Sequence, residues 1–304
     1  MRITSKFGSG YGGWTLCAGA AALLACSSKA ADTPGPATPP ALDAGPPQCP
    51  VTALPAPQGS QVFDSLTASL VDDQGAPATN APLTVCGFDL CLTGKAGASG
   101  VTAVQNAQSG QTLERPALKI GDGVTFAELA YPLPDRPDFD LGKTVAIPLP
   151  SVASGAPLLA GASATAGGVT VTLASNAVVT FDALTYAPDA RAFRAKAIEL
   201  TNPPLAIDPA EKLAIAYALV PQGTTFCPPA ALDVPNTPGW PAGTEVEVLV
   251  HGTDLAQPFA PYGGWAVVAT GSVSADGQRV RTAEGSGLPV LAAVGIRRVQ
   301  DGGL

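Results

Sequence analysis

The chain reads as all-β, and three observations carry this. Glycine and proline number 34 and 31 among 304 residues, so turns are frequent. Between the turns lie short runs rich in Val, Thr and Leu that alternate apolar with polar side chains, the period of a half-buried strand. Apolar residues make up 46% of the chain, enough for a core, and the length accommodates two domains of ordinary size. The expected architecture is two β-sandwich domains behind a signal peptide and a Pro-rich disordered linker. The expected boundaries are 1–25 for the signal peptide and 26–58 for the linker. The first sandwich follows at 59–150, an interdomain linker at 151–167 and the second sandwich at 168–304.

In the first domain, Ser65–Leu70 places Leu66, Ala68 and Leu70 on one face, and Asp72–Gly75 is a turn. Pro82–Cys86 is the next strand. A Gly-rich turn from Gly94 to Gly100 leads into Val101–Val104. Gly123–Tyr131 and Thr144–Leu149 complete the set. In the second domain, Val169–Leu173 alternates and Val178–Phe181 follows. Asp208 is an N-cap with Pro209 at the first helical position, yet Leu213, Ile215, Tyr217 and Leu219 alternate, so one helical turn feeds a strand. Val246, Val248 and Val250 share a face opposite Glu245 and Glu247. Trp265, Val267 and Ala269 form a similar stripe before the turn at Ala275–Gly277.

The N-terminus carries Arg2 and Lys6, then an apolar stretch from Trp14 to Ala25. At about 12 residues it is short of the roughly 20 that span a membrane. Leu23-Leu24-Ala25-Cys26 closes it. This order resembles a bacterial lipoprotein signal with its lipobox; a chance cysteine in an Ala-rich signal is the alternative. The resemblance implies a Cys26 that carries acyl chains and inserts in lipid, each buried methylene worth about 0.8 kcal/mol. Ser27 stands where an aspartate would favour inner-membrane retention, so the implied location is the outer membrane, with the chain facing the periplasm or the surface. Residues 27–58 hold nine prolines and three charged residues, the composition of an extended or disordered tether.

Two further resemblances concern the domains. The stretch SLVDDQGAPATNAPLTVCGFDLCLTGKAGASGVTAV at 69–104 resembles the opening of carboxypeptidase-regulatory-like, transthyretin-related domains, although the Pro-Gly-x-Tyr of their last strands is missing. That family implies a small β-sandwich with no catalytic residues of its own. Pro221, Gly223, Phe226, Pro229, Leu232 and Pro235 stand at the spacing of the β-sandwich modules of ankyrins and netrin receptors. This second resemblance implies a binding or scaffolding module.

The formal charge is −8 and becomes more negative without Arg2 and Lys6. An acidic, Lys-poor chain is a poor partner for nucleic acid, whose affinity rests on neutralised phosphates. Four cysteines remain beside Cys17 and Cys26, an even number suited to an oxidising compartment. Three pairings are open. Cys86 and Cys91 are close enough to close a short loop, which leaves Cys49 with Cys227; a zinc site is the competing reading.

The chemistry-bearing residues are few. His251 is the only histidine, and a triad would have to pair it with Asp254 and a serine, without a Gly-x-Ser-x-Gly elbow. Its plainer reading is a strand-end residue. Asp135, Asp138 and Asp140 form a loop-like acidic cluster with the oxygen donors that suit calcium; no cofactor is otherwise expected. Trp240, Phe259, Tyr262 and Trp265 lie close in sequence. Exposed, they would stack on sugar rings or another partner; buried, they are core. The expected function is a membrane-anchored, non-catalytic lipoprotein for binding, adhesion or envelope scaffolding. Its partners are outer-membrane lipid through Cys26 and an envelope protein or polysaccharide. The alternative is an envelope hydrolase acting on polysaccharide or ester substrates.

Overall fold

The computed structural model describes Cys49 and residues 59–299, apart from 88, 89, 109, 115, 183 and 255–257. The signal segment, Cys26 and the remainder of the 26–58 tether lie outside the described residues. The protein is all-β: among the described residues, regular structure consists of strands and three single 3-10 turns. No helix among them is long and apolar enough to cross a membrane.

The first nine strands are β1 (Ser60–Val62), β2 (Ser65–Val71), β3 (Pro82–Cys86), β4 (Cys91–Lys95), β5 (Val101–Gln105), β6 (Thr112–Glu114), β7 (Ala117–Ile120), β8 (Leu129–Pro132) and β9 (Asp138–Val145). They form a sheet in the order β5-β2-β9, a second in the order β4-β3-β7-β8, and the ribbon β1-β6. Strand β9 runs parallel to β2; the other pairs are antiparallel. The alternation expected of Ser65–Leu70 holds: Leu66, Ala68 and Leu70 are buried in a core with Phe63, Leu83, Leu118 and Leu129.

Two expectations change. The stretch from Gly123 to Tyr131 is a turn followed by the short β8. Asp122 Oδ1 accepts the N–H groups of Val124, Thr125 and Phe126 at 2.9, 2.7 and 3.0 Å, which holds the backbone out of a strand. Gly121 makes the bend possible. Its φ is +96° and a Cβ there would lie 2.0 Å from the Ala127 carbonyl oxygen. Cys91–Lys95, on the near side of the Gly-rich turn, is itself a strand, paired to β3 over five residues from Pro82↔Lys95 to Cys86↔Cys91.

The remaining strands are β10 (Ser163–Ala166), β11 (Val169–Thr172), β12 (Val178–Thr180), β13 (Arg194–Ala197), β14 (Ile215–Val220), β15 (Thr225–Pro235), β16 (Glu245–His251), β17 (Trp265–Val273), β18 (Arg279–Thr282), β19 (Leu288–Val290) and β20 (Ala293–Arg298). They join in one sheet, β10-β11-β15-β18-β17-β16-β20-β14-β13, with β12 and β19 also on β15. The sheet curls until its ends nearly meet. At Gly167, in the β10–β11 turn, an added Cβ would lie 2.4 Å from the carbonyl oxygen of Ala195 on β13. Val246, Val248 and Val250 point inward as their alternation requires. The helical turn at Pro209–Glu211 also forms, capped by Asp208, whose side chain accepts the Ala210 N–H at 2.8 Å, and β14 follows.

Strand β14 is buried on both faces and divides its side chains between two cores. Ile215, Tyr217 and Leu219 enter the core enclosed by the curled sheet. Ala216 and Ala218 enter the core of the first strand set, which Ile198, Ile207 and Ala293 also complete. The small side chains on that face let the two strand sets approach closely.

Two disulfides close the fold: Cys86–Cys91, with Cα atoms 4.0 Å apart, and Cys49–Cys227, with Cα atoms 5.7 Å apart. The first joins residues directly opposed on β3 and β4. The second ties Cys49, near the end of the Pro-rich stretch, to β15. Their sequence separations are 5 and 178. In the chain-entropy account the short loop contributes about 2 kcal/mol and the long one up to about 5 kcal/mol. Replacing Cys49 and Cys227 together by alanine should therefore lower the unfolding free energy in urea more than replacing Cys86 and Cys91. Equal losses, or a larger loss at the short loop, would contradict that account.

Candidate binding site

Two concave regions emerge, one where the first strand set meets the second and one at an end of the curled sheet. In the first region, the turn before β8 presents Glu128, and β7 presents Lys119, whose Nζ lies 3.0 Å from Glu128 Oε1. Gln222 reaches across from the second strand set. Its Oε1 accepts the Glu128 N–H and its Nε2 donates to the Glu128 carbonyl, both at 2.7 Å. Tyr186 Oη donates to the Gly123 carbonyl and accepts the Gln222 N–H, each at 2.9 Å. Arg194, almost wholly buried, donates through Nη1 to the carbonyls of Val124 and Pro150 at 2.9 and 2.8 Å.

The electrostatics follow from this geometry. Burial pushes the Glu128 carboxyl above its ordinary value, a shift that Lys119 opposes and that Asp254 and Asp122 reinforce. Burial likewise raises the Tyr186 phenol. Asp182, by contrast, is held below its ordinary value, chiefly by a hydrogen bond from the Thr185 hydroxyl. The hollow among these groups is narrow, about 110 Å³. Beside it a hollow of about 170 Å³ is lined by the Cys86–Cys91 pair, Lys119, Asp254 and Tyr262.

His251 also lies at this boundary, at a strand end as its plainer reading has it. It is fully buried at the end of β16. Its Nε2 lies 3.2 Å from the Ala130 amide nitrogen and 3.0 Å from the Ala130 carbonyl oxygen, accepting in one tautomer and donating in the other. The ring stands against Trp265, centroids 4.9 Å apart. Burial drops its pKa to about 4.

The other residues singled out in the sequence fall in different places. Asp138 and Asp140 sit in strand β9, not in a loop, because the buried Phe139 between them fixes the strand period. Asp138 accepts the Ser65 hydroxyl at 2.6 Å, and Asp140 accepts the Gly142 N–H at 2.9 Å. Asp135 is exposed in the preceding bend. Among the described residues no three His, Cys, Asp or Glu side chains gather as a metal site. The four aromatics separate. Trp265 packs on the first core, its Nε1 donating to the Ala206 carbonyl at 2.9 Å. Trp240 and Phe259 pack on the second core. Tyr262 keeps a buried hydroxyl without a hydrogen-bond partner among the described residues.

The second concave region is larger, about 810 Å³, within the range of ligand pockets. Trp240, Glu245, Lys212, Arg297 and Arg298 line it. The side chain of Asn236 fixes the Trp240 loop from both sides: Oδ1 accepts the Trp240 N–H at 3.1 Å, and Nδ2 donates to the Trp240 and Gly277 carbonyls at 2.8 and 2.9 Å. Arg297 is held by Glu247 at 2.8 Å and Glu211 at 3.0 Å. Of these residues Trp240 stood out in the sequence as a stacking candidate, and Glu245 and Glu247 as the polar face of a strand. The Arg297-Arg298 pair, in a chain with 16 Lys and Arg, was the available signal for the rest.

Compared with known proteins, the chain matches no family model, no curated protein and no solved structure.

The buried imidazole gives stability a pH dependence. An unfolded chain takes up a proton at His251 below about 6.5, whereas the native chain resists it until about 4. The stability present at neutral pH is therefore lost as pH falls through that window. Unfolding free energy from urea titrations should drop by on the order of 1 kcal/mol between pH 7.5 and 5.5 from this group alone. His251→Gln should remove that component, so the two proteins should differ in slope; parallel pH profiles would refute the assignment.

Proposed function

We propose that this protein is a lipid-anchored, non-catalytic binding module of the outer membrane, carried on a Pro-rich tether. The observation that carries the binding reading is the end cavity, where Asn236 locks a half-buried tryptophan beside fixed and exposed charges. Preorganised aromatic and polar groups bind with little ordering cost. The Cys49–Cys227 disulfide supports the tether, because it joins the end of the Pro-rich stretch covalently to the β-sheet structure. Both disulfides suit an oxidising compartment outside the cytoplasm. The anchor itself rests on the lipobox at Cys26.

A second reading is an envelope hydrolase acting on polysaccharide or ester substrates. It draws on Glu128, whose raised pKa beside other carboxylates is a pattern shared by general acids. The binding reading is favoured because Glu128 is already tied to Lys119 and because His251 is committed to the core. A screen of glycan and ester hydrolysis separates the two: turnover abolished by Glu128→Gln would favour the hydrolase.

The anchor has its own test. Cys26→Ser should abolish palmitate labelling and signal cleavage and remove the protein from the outer-membrane fraction. Persistence of label and fractionation in that variant would rule the anchor out.

A further inference from the structure

The end cavity carries chemistry enough to name a ligand class. We infer that it binds the carboxylate-bearing sugar rings of an acidic glycan, with Trp240 against a ring face, Arg298 on the carboxylate and Glu245 on ring hydroxyls. This inference deepens the binding-module reading and rests on it.

Three features converge. First, Trp240 is half-buried on the second core, and its backbone is fixed at both N–H and carbonyl by Asn236. A ring fixed in this way offers an apolar face without the entropy cost of ordering a loop, and the flat faces of pyranoses stack on such rings. Second, the cations at this end differ in availability. Arg297 is consumed by Glu211 and Glu247. Arg298, the next residue along β20, is exposed and has neither an ion pair nor a side-chain hydrogen bond among the described residues. A guanidinium presents paired N–H donors in the geometry of a carboxylate. Third, Glu245 is exposed on the same lining. An ionised carboxylate accepts hydrogen bonds only, so it suits hydroxyl donors and repels a bare anion.

Together these exclude simpler occupants. A free phosphate would meet Glu245 with no use for Trp240. An apolar ligand would strand Arg298 and Glu245. A neutral glycan would leave the guanidinium unpaired. A uronic acid satisfies all three groups, and a cavity of about 810 Å³ accommodates more than one ring.

The test uses the full chain in detergent, titrated calorimetrically with trigalacturonate, with trimannuronate and with the methyl ester of each. At least one acid should bind, with its ester roughly ten-fold weaker or worse. Trp240→Ala and Arg298→Gln should each weaken the acid by a similar factor, and Arg298→Gln should also narrow the gap between acid and ester. Trp240→Phe should retain part of the affinity, which separates lost stacking from a misfolded loop. Binding of the esters equal to that of the acids, no effect of Arg298→Gln, or no binding of either acid would overturn the inference. In the last case, capture of a different envelope ligand that Trp240→Ala abolishes would leave the binding-module reading standing and sink only the acidic-glycan assignment.

Discussion

The backbone at one edge of the first strand set is the constraint on which the rest depends. Strand β8 ends the sheet β4-β3-β7-β8, so half of its N–H and carbonyl groups have no strand to pair with. An edge left bare in water invites association, and one buried without partners costs on the order of 1–3 kcal/mol per group. Here the edge is buried and the partners are side chains from far along the chain. His251 takes the backbone of Ala130, and Gln222 pairs with both backbone groups of Glu128 as a neighbouring strand would. Tyr186 and Arg194 do the same for the Gly123 and Val124 carbonyls in the turn before it.

The same constraint accounts for the small side chains on β14 and β20. For those polar groups to reach β8, the curled sheet has to come close to the first strand set. Ala216, Ala218 and Ala293 line the approach, and larger residues there would hold the partners apart. At Gly295 of β20 even a Cβ would meet Leu213, at 2.5 Å. Lys196 and Asp73 add an ion pair of 2.6 Å between the two strand sets. That pair is partly solvated, and contacts of this kind contribute little beside the buried hydrogen bonds.

Most of the chemistry-bearing side chains at this boundary are already engaged. Asp122 caps a turn, Glu128 holds Lys119, and His251 is neutral in the core. The shifted pKa values of Glu128 and His251 reflect burial in a structural seam. At the end of the curled sheet, by contrast, Trp240 is held through its backbone by Asn236, Arg298 lies on strand β20, and both side chains reach solvent.

The alternation of Leu66, Ala68 and Leu70, of Val246, Val248 and Val250, and the cap at Asp208 could be read from residue order, because each depends on neighbours within a few positions. The short cysteine loop was legible for the same reason. The strand at Cys91–Lys95 was hidden by its exposed, Gly-containing edge, and β9 by the acidic residues on its outer face. The turn at 122–128 was hidden because one carboxylate, Asp122, outweighed a strand-like apolar pattern. The roles of His251, Gln222, Tyr186 and Arg194 could not be read at all. In these cases a side chain answers a polar group some 60 to 120 positions away, and only the folded path of the backbone brings the two within hydrogen-bonding reach.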